Sequence, residues 1–274
     1  MIGIFDSGFG GLTILKEIRK MLPQYDYLYL GDNARAPYGT RSYDIVYEYT
    51  WQAVRYLFDH GCSLVILACN TASAKALRTI QQTRIDPTIQ RVLGVIRPTV
   101  EAVNRLATAR HIGVLATPGT VSSESYVIEL QKLNPSFVVT QQACPMWVPL
   151  IENGEKDSPA TDWFVDKYMN QLFEKDADID TLVLGCTHYP LIREKIQRYL
   201  ERRFVSTPIP TLVSQGEVVA HSLNDYLQRH PEIEVRLEKN GDCQYLTTES
   251  ADRFSDSARI FLNEEDISAL HVEY

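Results

Sequence analysis

The 274-residue chain has neither a long apolar run nor a basic face. No apolar stretch approaches the roughly 18 residues of a membrane span, and residues 2–5 enter an apolar strand without the basic region, long apolar core and small-residue cleavage site of a signal peptide. Neither export nor membrane insertion is expected, which points to the cytoplasm. Lys and Arg number 27 against 35 Asp and Glu, a formal net charge of -8, so a phosphate backbone finds no complementary surface and no nucleic-acid partner is expected. C-x-x-C and H-x-x-x-H spacings are missing, and no metal site is expected. The five cysteines are odd in number and scattered, which suits free thiols in a reducing compartment better than a disulfide framework. Low-complexity segments and long charged runs are also absent. A composition of 45% hydrophobic and 23% charged residues is that of an ordinary folded chain with one large or two ordinary domains.

One pattern is used twice. Residues 181–190, TLVLGCTHYP, read as a strand without alternation, as expected when both faces are covered, that stops at Gly185 and then presents Cys186, Thr187 and His188. Residues 64–71, LVILACNT, follow the same design: apolar strand, small residue, Cys69, then the polar pair Asn70 and Thr71. Ligands of open α/β sheets collect at the carboxyl ends of strands, where both groups would sit.

The surrounding chain repeats as well. Residues 2–5 read as a strand, 6–11 (DSGFGG) as a glycine-rich turn and 12–21 as an amphipathic helix; residues 111–115 (HIGVL) restart the same pattern, with 117–120 where the first copy has its turn. Asp6 and Ser7 are the first polar residues after their strand and lie beside a helix N-terminus able to hold an anion. Further expected elements are strands at 27–30, 92–96, 137–141 and 211–213. Helices are expected at 43–60, 73–82, 100–107, 192–203, 215–226 and 250–262. A hairpin is expected at 234–237 and 244–247 around Asn240-Gly241, with a last strand near Leu270. Residues 34–42 (ARAPYGTRS) read as an ordered loop able to cover a site. The predicted fold is α/β, with two pseudosymmetric doubly wound domains whose mainly parallel sheets face each other across a cleft. Residues 1–96 with 208–274 form the first domain and 97–207 the second.

Two thiols at equivalent strand ends suit proton transfer. Inverting a carbon acid needs a base on one face and an acid on the other, and two groups of one chemical type match a reaction nearly symmetric in its two directions. His188, two residues from Cys186, is placed to polarise that thiol or shuttle a proton. Cys62, Cys144 and Cys243 read as small core residues. A thiol amidohydrolase would need only Cys186 and His188 and leaves Cys69 unexplained. A small-anion binding protein without turnover is the other reading, motivated by the glycine loop.

Four motifs, Asp6-Ser7-Gly8-x-Gly10-Gly11, Gly31-Asp32-x-Ala34-x-x-Pro37-Tyr38-Gly39, Ala68-Cys69-Asn70-Thr71-Ala72-Ser73 and Gly185-Cys186-Thr187-His188-Tyr189-Pro190, resemble the glutamate racemase family in order and spacing. The resemblance implies interconversion of L- and D-glutamate for bacterial peptidoglycan, no cofactor, and a homodimer. It implies that Cys69 acts on D-glutamate and Cys186 on L-glutamate, with Asp6 assisting Cys69, and Glu152 with His188 assisting Cys186. It makes Asp6, Ser7, Tyr38, Gly39, Asn70, Thr71, Thr187 and His188 substrate contacts. Arg97 and Ser214-Gln215 depart from the pattern, at positions with no catalytic role. Within the superfamily, aspartate or hydantoin racemases are the alternative, and the Thr187-His188 pair favours glutamate.

Overall fold

A computed structural model describes residues 1–262 and 264–274. In chain order the elements are β1 (Ile2–Asp6), α1 (Leu12–Met21), β2 (Tyr27–Gly31), α2 (Tyr43–Asp59), β3 (Leu64–Leu67), α3 (Asn70–Lys75), α4 (Leu77–Thr83) and β4 (Arg91–Gly94). These are followed by α5 (Ile96–Arg105), β5 (His111–Ala116), α6 (Pro118–Ser122), α7 (Ser125–Leu133), β6 (Val138–Ala143), α8 (Trp147–Glu152), α9 (Pro159–Lys175), β7 (Thr181–Gly185), α10 (Arg193–Arg203) and β8 (Thr211–Val213). The chain closes with α11 (Gln215–Arg229), α12 (Pro231–Glu234), β9 (Cys243–Thr247), α13 (Ala251–Leu262) and β10 (Ala269–His271). It divides into two compact units, Met1–Val95 with Gly216–Tyr274, and Ile96–Gln215. No helix among the described residues is long and apolar enough to cross a membrane.

Each unit holds one all-parallel sheet. The strand order is β10-β9-β2-β1-β3-β4 in the first and β6-β5-β7-β8 in the second. The run β2-β1-β3-β4 has the same order as β6-β5-β7-β8, so the repeat seen in the sequence is a repeat of topology. The inner strands β1, β3 and β7 are buried at every position, whereas the edges β6 and β8 carry exposed residues. That is why inner strands lack alternation: helices cover both faces. In the first unit Ile2, Ile4, Tyr27 and Tyr29 point to the core beneath α1, α11 and α13, and Phe5, Leu28 and Leu30 point to the core beneath α2 and α3. The second unit packs Leu115, Leu182 and Leu184 against α8, α9 and α10.

Several expected elements differ. The hairpin does not form: Glu234 ends α12, and 243–247 alone is a strand, paired parallel to β2. Asn240-Gly241 is a turn, with Gly241 at φ +80°, but it wraps the buried carboxylate of Asp26, which accepts from the backbone N–H of Asn240 (2.8 Å) and of Asp242 (3.1 Å). The helix expected at 73–82 is two helices: the first starts early, at Asn70, because Cys69 caps it, and the second follows a break at Ala76. β4 stops at Gly94, and Pro98 lies in the first turn of α5, where a missing N–H is harmless. Residues 211–213 pair with β7, so this stretch belongs to the second sheet, and the returning chain leaves that unit at Gln215, not at 208.

The turn after β1 depends on a close approach. A Cβ at Gly11 would lie 2.5 Å from Cβ of Asp6 and 3.0 Å from the Tyr29 hydroxyl. Gly11→Ala is therefore expected to destabilise the fold by about 1–3 kcal/mol through overpacking. A denaturant midpoint equal to that of the parent would contradict this.

Candidate active site

The first half-site is built on the adjacent ends of β1 and β3. Asp6 closes β1 fully buried, and its Oδ2 accepts from the N–H of Gly8 at 3.0 Å, which turns the chain into the 7–11 loop. The Tyr29 hydroxyl donates to the carbonyl of Gly8 at 2.9 Å and fixes the same loop. Beside it, the N–H of Ala68 donates to the Phe5 carbonyl at 2.8 Å, and the next residue, Cys69, is the N-cap of α3. Its sulfur accepts from the N–H of Ala72 at 3.5 Å and donates to the hydroxyl of Ser7 at 3.5 Å. Asn70 and Thr71 form the first turn of α3 and are buried. Asp6, Ser7, Cys69, Asn70 and Thr71 thus gather at one end of one sheet.

Tyr38 and Gly39 are also buried, and Tyr38 packs in the apolar cluster that contains Cys69. The Tyr38 hydroxyl is occupied: it donates to the carboxylate of Asp32. Asp32, itself fully buried, also accepts from Arg35 Nε at 2.7 Å and from the Thr248 hydroxyl at 2.9 Å. Lys75 of α3 donates to the Arg41 carbonyl at 2.7 Å and ties the loop to the helix that Cys69 caps. Sequence reasoning assigned no role to Asp32. The available signal was its place, directly after the buried strand β2, where β1 has Asp6.

The second half-site stands at the matching place in the second sheet. β7 follows β5 as β3 follows β1, so Cys186 is the topological counterpart of Cys69. A Cβ on Gly185 would lie 3.1 Å from the Leu115 carbonyl and 3.2 Å from the Tyr126 ring, so glycine lets β7 end pressed against its neighbours. Cys186, Thr187 and His188 are all buried. His188 Nδ1 is 3.9 Å from the Cys186 sulfur and its Nε2 is 2.9 Å from Oε1 of Glu152, the last residue of α8. Tyr189 holds α8 in place: its hydroxyl donates to the Cys144 carbonyl at 3.3 Å and its ring meets Trp147 edge-on at 4.7 Å.

The other cysteines have a different character. No cysteine is in a disulfide, and burial pushes the Cys62 thiol up to about 12, Cys144 well above the ordinary range, and Cys243 upward. Cys62 and Cys144 are core thiols, and Cys243 packs half-buried against the first core. Among the described residues, one group has metal-binding spacing: His111, Asp176 and Asp178, with ligand atoms within 4.8 Å of one another. It lies at the opening end of β5, the opposite end of the sheet from Cys186, and His111 there pairs with Asp176 at 2.9 Å.

The Asp/Glu/Hydantoin racemase family matches residues 11–215, three quarters of the chain and both cysteines. The chain belongs to that family. Its similarity to a glutamate racemase of Ruegeria sp. (strain TM1040) is 41% identity, covering 96% of this chain and 97% of the relative. In structure it is similar to glutamate racemase isoform RacE1 from Bacillus anthracis, with a TM-score of 0.88 at 34% identity over 100% of this chain and 97% of that one. It is also similar to the glutamate racemase of Francisella tularensis solved with D-glutamate, with a TM-score of 0.86 at 32% identity over 99% and 97%.

In this racemase-family chain His188 is coupled to charged and polar partners on both ring nitrogens. Burial disfavours the His188 cation, but hydrogen bonds to Cys186 and Glu152 outweigh it and raise the imidazole to about 10. A folded value above the unfolded one, about 6.5, means a stabilising contribution that is complete below that pH and is lost as pH rises through the folded value. Glu152→Gln removes the charge at Nε2 and should lower the His188 value. Urea midpoints of parent and variant should then differ most near neutral pH and converge above the folded value, and histidine NMR should show the lowered titration. An unmoved His188 titration would contradict the coupling.

Proposed function

We propose that the chain interconverts L- and D-glutamate by proton transfer at Cα, with Cys69 and Cys186 each serving one face. The observation that carries this reading is the equivalence of the two thiols: each follows the same strand of the same topology and is bracketed by small polar groups. A reaction whose reverse is its mirror image needs two such groups, one acting as base while the other returns the proton as acid. Glutamate as substrate is supported by the nearly full-length likeness to glutamate racemases and by D-glutamate in one related crystal structure.

In this reading Cys69 takes the proton from D-glutamate with Asp6 behind it, and Cys186 takes it from L-glutamate with His188 and Glu152 behind it. The Cα proton is very weakly acidic, so hydrogen-bond donors must meet the charge that develops on deprotonation. Ser7, Asn70, Thr71, Thr187 and His188 supply side-chain groups for this and for the two carboxylates. Tyr38 and Gly39 contribute backbone groups, because the Tyr38 hydroxyl is held by Asp32. The two compact units act as the two domains of one enzyme that needs no cofactor. The product serves peptidoglycan synthesis in the cytoplasm, and the working form is a homodimer.

Exchange of the Cα proton of L- and D-glutamate in deuterated water, followed by chiral chromatography, is expected to show deuterium entering with inversion. Release of ammonia with a trapped acyl-enzyme would identify an amidohydrolase instead. Replacing either thiol by Ser should reduce racemisation about 10²–10⁴-fold, the range for losing a positioned acid or base. Because the enantiomers have equal energy, kcat/KM must fall by the same factor in both directions. Elimination of halide from a β-chloro analogue needs one deprotonation only. Cys69→Ser should retain it for the enantiomer that Cys186 attacks, and Cys186→Ser for the other. Loss of elimination from both enantiomers in both folded variants would sink the assignment of one base per face.

A further inference from the structure

The loop that carries Tyr38 and Gly39 is fastened by groups that lie outside it. Asp32, fully buried after β2, accepts from Arg35 Nε at 2.9 and 2.7 Å, from the Thr248 hydroxyl at 2.9 Å and from the Tyr38 hydroxyl. Arg35 is mostly buried, and its Nη1 donates to Oε1 of Gln52 on α2 at 2.6 Å. Two aromatic rings also meet the guanidinium: its Cζ lies 4.2 Å from the Tyr49 ring centroid and 4.9 Å from that of Tyr274. Tyr49 belongs to α2, whereas Tyr274 comes from the stretch after β10, which the N–H of Val272 anchors on β9 by donating to the Thr247 carbonyl at 2.9 Å. Burial, and then the Asp32 charge, push the Tyr274 phenol up, so the ring beside Arg35 is uncharged. The hold passes along the loop, because the Arg35 carbonyl accepts from Arg41 Nε at 3.0 Å and the Arg41 N–H donates to the Tyr38 carbonyl at 3.1 Å.

We propose that Arg35 is the positioning residue of this loop: held by Asp32, Gln52 and the rings of Tyr49 and Tyr274, it sets the backbone of Tyr38 and Gly39. Backbone groups that grip an anion act through placement alone, and a drift of about 1 Å is costly. The turns inside the loop are short-range, from the Arg35 N–H to the Asp32 carbonyl at 3.1 Å and from the Ala36 N–H to the Asn33 carbonyl at 3.3 Å. Such turns shape a segment but do not stop it hinging as a unit. Arg35 supplies that stop, since its planar fork takes the carboxylate while aromatic faces attract the same cation. Lys75 secures the other end by donating to the Arg41 carbonyl at 2.7 Å, so weakening Arg35 loosens the loop without releasing it.

The proposal rests on the reading of Tyr38 and Gly39 as substrate contacts, and its test separates the two. In the full-length protein, Tyr274→Ala takes one ring from Arg35 without altering Asp32 or the loop. Hydrogen exchange of the amides in 33–41 is expected to quicken roughly 3- to 30-fold, the span for a cation–π contact at a largely desolvated site, while the amides of β1 keep the parent rate. In the same variant KM for both enantiomers of glutamate is expected to rise by a similar factor with kcat little changed, because a grip on a carboxylate away from Cα serves ground and transition states alike. Tyr274→Phe keeps the ring and should bring both readouts back toward the parent. Arg35→Lys keeps the charge but loses the planar fork, and its effect should equal or exceed that of Tyr274→Ala. Unchanged exchange in 33–41 for both Tyr274→Ala and Arg35→Lys would overturn the proposal. So would quickened exchange with an unmoved KM, or a fall in kcat alone, which is what loss of folded enzyme gives. A parent that shows no racemisation removes the substrate reading instead, and the exchange rates then decide by themselves whether Arg35 holds the loop.

Discussion

A parallel strand covered on both faces has no side on which a polar group can reach water. The middles of β1, β3 and β7 are therefore apolar, and polar side chains stand only at strand ends, Thr181 where β7 opens and Asp6 where β1 stops. In both sheets it is at the carboxyl end that Asp6, Cys69 and Cys186 emerge beside backbone N–H groups not used by the ladder. The position of each thiol follows from the burial of the strand before it. Gly185 sharpens the effect, because β7 ends in contact with β5 and the Tyr126 ring and the thiol has little freedom to shift.

The repeat fixes where the thiols stand and leaves their surroundings to diverge. Cys69 caps a helix and donates to the Ser7 hydroxyl, with the buried carboxylate of Asp6 at the end of the next strand. Cys186 has a histidine whose far nitrogen is paired with Glu152, so charge can sit one bond further from the sulfur. Cys62, Cys144 and Cys243 show the contrast, since burial is the largest influence on each and raises all three thiols.

Much of this was legible in the sequence because it is local. The uniform apolar runs at 64–67 and 182–184 marked inner strands, the residues following them were read as the candidate site, and the restart at His111 marked the repeat. What escaped was set by distant partners. Asn240-Gly241 is a turn signal, but Asp26, more than 200 residues earlier, decides that it wraps a carboxylate and does not close a hairpin. Asp32 stood in plain view in its motif, yet its role depends on Arg35, Tyr38 and Thr248 converging on it. The assignment of 208–215 turned on β8 adding to β7, and three residues carry too little periodicity to announce a partner.

The division of the chain also has a consequence for biosynthesis. The second unit is one continuous segment, so the ribosome delivers all four of its strands before any of α11 to β10. The first unit, begun earlier, has to wait: until residues 216–274 arrive, β2 lacks its neighbour β9, and the face of α1 that carries Ile14, Leu15 and Ile18 lacks Val219, Leu223 and Phe254. The half of the molecule that is made first is therefore finished last, and its bare sheet edge and apolar helix face are the surfaces a nascent-chain chaperone would have to shield.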